Sequence, residues 1–149
     1  TNYKTAYRTI ILSGVIGILI STYALYVEMA AEIHPGYEAM CDISEYASCS
    51  RVLTSEYSKG FGLLPEESLF AVPNCIYGIV FYCFMILLCK YNLVFFLALA
   101  SVLSCVYLAY LLAFVLRDFC VVCVSTYFVN ASLVLLINKK KTALIAKTK

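Results

Sequence analysis

Four of the eight cysteines in this chain stand where sulfur chemistry is possible. Cys120 and Cys123 form a C-x-x-C pair just after the charged dipeptide Arg117-Asp118, and Cys41 and Cys49 lie in a polar stretch. On a helix, residues three apart are neighbours, so Cys120 and Cys123 are close enough to join with slight local adjustment. At a helix start, the free amides and the helix dipole favour the thiolate, which is the nucleophilic form. The chemistry on offer is thiol–disulfide exchange. Cys41 and Cys49 are eight residues apart, which a turn of chain can close or leave open, so spacing alone does not separate a permanent loop bond from an exchanging pair. The other four, Cys75, Cys83, Cys89 and Cys105, sit in apolar runs and read as packing residues. Zinc fits poorly, because one pair is widely spaced and the sole histidine, His34, has no partner; no metal site is expected.

Around the C-x-x-C pair the sequence places groups suited to an apolar ligand. Tyr127 stands four residues beyond Cys123, one helical turn deeper on the same face. Pro73-Asn74 opens another helix at the same depth. Asn74 by itself reads as a helix cap, but its carboxamide can also donate into the space between the helices. Tyr77 and Phe81 follow it at i+3 and i+7 and continue an aromatic face. Together they describe a greasy pocket with two hydrogen-bond donors and a thiol, which suits a flat ring with two oxygens and an apolar tail. A quinone fits that description, and no tightly bound cofactor is needed.

The elements that must hold these residues are membrane helices, since 63% of the 149 residues are hydrophobic and only 13% charged. A span needs about 20 mostly apolar residues to cross roughly 30 Å of hydrocarbon. Four stretches qualify, at about 10–27, 75–89, 93–116 and 119–137. The second is short and is expected to borrow length from Leu69 to Val72 or from Tyr91. Between Leu93 and Ile137 only Arg117 and Asp118 are charged, and one unbroken helix there would run to about 67 Å at 1.5 Å per residue. The third and fourth spans therefore form a hairpin with a tight turn at the charged pair.

Eight of the eleven basic residues, Lys149 among them, fall on one side of this arrangement without a single acid. The opposite side holds Arg51, Lys59, Arg117 and all nine acids. That asymmetry puts both termini in the cytosol and the four chemical cysteines at or beneath the other face. The first stretch reads as a span rather than a cleaved leader, Lys139 to Lys141 anchor the last helix, and the Asn130-Ala-Ser132 glycosylation pattern lies inside a span and goes unused. The expected fold is an all-α integral membrane bundle of four helices over residues 1–149, a single domain with a short tail at 138–149. Its long polar segment, about 28–74, forms a lid over the bundle mouth. Short helical turns are expected near Tyr37 to Tyr46 and Ser50 to Tyr57, with Phe61, Leu63 and Leu64 anchoring the lid in the interface.

Cys41-Asp42, then Cys49-Ser50-Arg51-Val52, Lys59-Gly60-Phe61-Gly62-Leu63, Asn74, and finally Asp118-Phe119-Cys120-Val121-Val122-Cys123 with Tyr127 resemble the vitamin K epoxide reductase family. The set spans nearly the whole chain in one order. The resemblance implies an endoplasmic reticulum enzyme with its lid in the lumen. It also implies a relay in which Cys41 and Cys49 take electrons from a thioredoxin-like partner and Cys49 attacks the disulfide between Cys120 and Cys123. Reduced Cys123 would then attack vitamin K quinone or its 2,3-epoxide while Asn74 and Tyr127 bind the ring oxygens. Coumarin anticoagulants would compete for this pocket. Partners are thus membrane lipid, a lumenal dithiol donor and coumarin inhibitors, with no nucleic acid. Tryptophan is absent, and Tyr57 stands where relatives often carry an indole, so looser lid packing is expected.

Two other readings use the same residues. A disulfide-generating enzyme would run the cysteines in reverse and hand electrons from partner thiols to ubiquinone or menaquinone. A non-enzymatic tetraspan protein would keep Cys41 and Cys49 permanently bonded.

Overall fold

The computed structural model describes residues 3 to 148; Lys149 lies outside them. The chain folds into helices α1 (Tyr3–Ile33), α2 (Cys49–Leu53), α3 (Asn74–Leu87), α4 (Leu93–Tyr110) and α5 (Val121–Thr148), with a 3-10 turn at Gly60–Gly62 and a π-helical segment at Leu111–Leu116. The all-α expectation holds among the described residues, where β-pairing is confined to isolated bridges. Three stretches, Lys4–Ile33, Leu93–Leu116 and Val121–Thr148, are long and apolar enough to cross a membrane.

α1 runs beyond the expected 10–27 because Glu28 to Glu32 are mostly good helix formers, and it stops where Pro35 and Gly36 (φ +86°) deny a further turn. α3 gains nothing from Leu69 to Val72. Pro73 fixes an extended entry at its N-terminus, and Leu69 stands 94% exposed in the preceding turn. At about 1.5 Å per residue, the 14 residues of α3 reach only about 21 Å. α5 absorbs the expected tail as helix through Thr148.

α1 is the hub, packed along both α3 and α5, while α4 leans mainly on α5. Close approach of α1 to α3 is set by Gly17, where an added Cβ would lie 2.5 Å from the Tyr82 ring. Outward faces carry Leu12, Leu19, Phe96, Leu103, Phe128 and Leu135, all exposed, as hydrocarbon surroundings require. At the end of α5, buried Lys140 donates to the Cys89 carbonyl and stacks over Tyr7 at 4.9 Å, while Lys141 lies over Phe95 at 5.0 Å.

The hairpin turn falls where the charged pair put it. α4 relaxes into the π-helical segment, and Arg117 ends it in the left-handed conformation (φ +51°, ψ +40°) with its amide bonded to the Leu112 carbonyl. Residues 37–46 form no helix, contrary to expectation. Asp42 explains why: its carboxylate accepts from the Ala39 amide (2.8 Å), the Ser48 hydroxyl (2.7 Å), and the amide and hydroxyl of Ser50 (3.0 and 2.6 Å). A short acidic side chain that captures nearby donors offers the backbone an alternative to helix.

Candidate active site

Cys120 sits at the residue before α5, and its sulfur accepts a hydrogen bond from the Cys123 amide at 3.3 Å, as an N-cap side chain does. The Cys120 and Cys123 sulfurs are 2.6 Å apart, both as free thiols. Cys41 and Cys49 are joined by a disulfide. The lid places that second pair in the same buried cluster as the first. Ala47 and Phe119 form a parallel bridge, the Phe119 amide donates to the Tyr46 carbonyl (2.8 Å), and the Ser48 amide donates to Asp118 (3.3 Å). Arg51 clamps the contact, with Nε 2.8 Å from the Asp118 carboxylate and a guanidinium bond to the Glu45 carbonyl. Cys49 and Cys120 consequently share one apolar cluster, each with 0% exposure. Cys41 is only partly buried, so the outer sulfur of the loop pair is the accessible one.

Below this junction a cavity of about 330 Å³ opens, lined by Cys123, Tyr127, Asn74, Tyr77 and Phe81 among mostly apolar neighbours. All four residues expected to contact a ligand line it. Tyr127 has no hydrogen bond to protein among the described residues. Asn74 does not cap α3, which it opens. Its Oδ1 accepts from the Phe61 amide at 2.9 Å and its Nδ2 donates to the Tyr57 carbonyl at 2.8 Å, leaving one Nδ2 hydrogen for the cavity. Phe61 turns inward rather than into the interface: its ring stacks on Tyr77 at 5.6 Å and its carbonyl accepts from Tyr107 at 3.2 Å. Leu63 and Leu64 are the exposed pair. Tyr57 packs so closely on Gly62 that a Cβ there would lie 2.4 Å from its ring, so the lid is not loose at this point.

A family model described as the vitamin K epoxide reductase family matches residues 8–137. The chain is 38% identical over 146 residues to vitamin K epoxide reductase complex subunit 1 of Rattus norvegicus, across 91% of each protein. It is 42% identical over 130 residues to the protein of that name from Mus musculus, across 80% of this chain and 81% of that one. The chain belongs to the vitamin K epoxide reductase family. It is an oxidoreductase and a multi-pass membrane protein.

In this family member, sequence reading passed over several groups that shape the site. Two of the cysteines read as packing, Cys75 and Cys105, line the cavity, and Cys83 is exposed. At the cavity floor the Tyr82 hydroxyl donates to Asn130 Oδ1 (2.7 Å) and Asn130 Nδ2 donates to the Cys105 sulfur (3.0 Å). The available signal was an asparagine and tyrosines inside apolar runs, where unpaired polar groups are costly. Asp42 appeared in the motif without a role; in the fold it shapes the loop that the disulfide closes.

Burial pushes the Asp42 carboxyl up, but hydrogen bonds led by Ser50 outweigh it and hold the group lowered to about 2. A folded value below the unfolded one means that Asp42 stabilises the lid fully above about pH 4 and loses that contribution as pH falls through its folded value. Asp42→Asn is expected to cost about 1.5–3 kcal/mol at neutral pH, the usual worth of hydrogen bonds to a charged group. Thermal unfolding in detergent should show the gap to the parent protein closing as pH approaches 2. A gap constant over pH 2–6 removes the carboxylate from this role.

Proposed function

We propose that this protein reduces vitamin K 2,3-epoxide and vitamin K quinone to the hydroquinone. Electrons come from a thioredoxin-like lumenal donor through Cys41 and Cys49 to Cys120 and Cys123. The single observation that supports this most is the convergence of the two cysteine pairs at the mouth of an apolar cavity, with Cys49 and Cys120 buried in one cluster. The donor attacks at Cys41, the more accessible sulfur, and releases the Cys49 thiol. Cys49 attacks Cys120, leaving Cys123 as a thiol facing the ring. Asn74 and Tyr127 hydrogen-bond the two ring oxygens, and Tyr77 and Phe81 hold the ring between aromatic faces. The names of the rat and mouse relatives support the choice of substrate.

The protein spans the endoplasmic reticulum membrane four times, with α3 as its short second span, the 28–74 lid in the lumen and both termini in the cytosol. The excess of lysine and arginine on the side away from the cysteines supports this orientation. Coumarin inhibitors occupy the same cavity.

The test supplies purified protein with a dithiol and either vitamin K epoxide or ubiquinone, and maps disulfides by mass in Cys41→Ser and Cys123→Ser variants. Turnover of the epoxide and a trapped Cys49–Cys120 species are expected. Turnover of ubiquinone alone makes the protein a disulfide-generating enzyme, and an invariant Cys41–Cys49 bond in every state abolishes the relay.

A further inference from the structure

Glu28 is the unexplained group in this molecule. It lies on α1 with 1% exposure, and its Oε1 has no hydrogen-bond partner among the described residues. Its Oε2 contacts the Cys75 sulfur at 3.8 Å. Cys75 lines the cavity and packs in the same apolar cluster as Cys49 and Cys120, with Cys123 against it. Among the described residues no cation pairs directly with Glu28, and Lys59 acts on it only from a distance. Lys59 of the lid is held 2.8 Å from Glu32, one helical turn further along α1. The remaining titratable groups near it are Glu32 on its own helix, Cys75 on α3 and, beyond Cys75, Cys120 at the start of α5. Burying a carboxylate that has no paired cation costs several kcal/mol, a cost that favours binding a proton there.

We infer that Glu28 and Cys75 form a proton relay in the cavity wall, which delivers a proton to the ring oxygen of the substrate as the C-x-x-C pair reduces it. This rests on the quinone-reduction reading above. Cys120 and Cys123 lose two electrons and their two thiol protons in forming the S–S bond. The quinone takes two electrons and two protons and becomes the hydroquinone; the epoxide takes the same and becomes the quinone, its oxirane oxygen leaving as water. At the moment Cys123 attacks as a thiolate, a proton has to come from elsewhere in the wall. The Asn74 amide keeps its hydrogens. The Cys75 thiol gives its proton to one oxygen and takes one from Glu28, which is recharged by the proton that Cys120 releases; the proton that Cys123 gave up on becoming a thiolate supplies the second O–H bond of the product. Cys75 thereby touches the substrate, and Glu28 acts through it as a positioning and proton-supplying residue.

The test measures kcat and KM against pH for the full-length protein and for Glu28→Gln, Cys75→Ala and Cys75→Ser in lipid nanodiscs, with vitamin K epoxide and excess dithiol. Glu28→Gln and Cys75→Ala should each lower kcat by roughly 10- to 100-fold, within the range of general acid catalysis, with KM little changed. Cys75→Ser keeps an exchangeable proton and should recover most of the rate. The parent rate should fall at high pH as Glu28 loses its proton, and Glu28→Gln should lack that limb. If Glu28→Gln does not fold, the contrast between Cys75→Ala and Cys75→Ser carries the test. Parent-like kcat and pH profile in Glu28→Gln, or equal rates for the two Cys75 variants, overturn the relay. A parent protein that turns over no quinone or epoxide overturns the functional reading itself, and the relay with it.

Discussion

Cys123→Ser is expected to lower vitamin K epoxide turnover by roughly three orders of magnitude or more, the scale seen when a nucleophile that works as part of a unit is removed. Serine preserves the size of the side chain and the first turn of α5. It forms neither the thiolate that attacks the ring nor the disulfide that closes the cycle. Because Cys123 lines the cavity while Cys120 lies under the lid, the two thiols should separate in trapping experiments. Cys123→Ser should accumulate the mixed disulfide with Cys49, and Cys120→Ser should not. Cys83→Ser is the matched control. That thiol is exposed on α3 and does not line the site cavity, so turnover within about twofold of the parent is expected of a surface substitution. Retention of activity in Cys123→Ser would assign the attacking thiol elsewhere, with Cys75 and Cys105 the other cavity cysteines to examine.

The second large effect is expected at Asn74. Alanine there removes both bonds that tie the lid to α3, the Phe61 amide to Oδ1 and Nδ2 to the Tyr57 carbonyl. The segment so released is unusual. Gly60, Phe61 and Gly62 have consecutive φ values of +57°, +58° and +70°, and for phenylalanine that backbone region costs about 1–2 kcal/mol. Losing two partly buried bonds from such a turn should cost about 1–3 kcal/mol of local stability. It should also reduce kcat/KM by roughly 10- to 100-fold, since each 1.4 kcal/mol is a factor of ten. Asn74→Asp keeps the acceptor for Phe61 and should fall between. Limited proteolysis of residues 59–72 together with steady-state kinetics checks both parts. An Asn74→Ala protein with an unchanged KM and an equally resistant lid would leave Asn74 as a bystander.

The parts of this fold that the sequence displayed were those punctuated locally. Asn92 and the Arg117-Asp118 pair bracket the third apolar stretch, and helical structure there, α4 with its π segment, covers 93–116. The C-x-x-C pair is equally local, because i and i+3 spacing and the start of a helix are both readable in one stretch of chain. What was hidden depends on partners far apart in the chain. Cys75 looked like a packing residue because its partner Glu28 is 47 residues away on another helix. Phe61 looked like an interfacial anchor because nothing nearby in sequence announces Tyr107 and Tyr77 as its seat. The 37–46 stretch had some helical character, yet one carboxylate with four donors around it was enough to override a weak preference. The placing of Cys49 and Cys120 in one buried cluster goes with the Ala47–Phe119 bridge across 72 positions, and only the family resemblance linked these two cysteines beforehand.

Lys140 has a consequence for how the molecule moves. Its ammonium, 3% exposed, grips the carbonyl just past the end of α3 from the far part of α5 and rests on an α1 aromatic ring. Three helices are thus riveted together at the pole opposite the sulfurs. A widening of the cavity mouth that left this tie intact would resemble a clothes-peg sprung at one end, with its jaws at the sulfur-bearing pole.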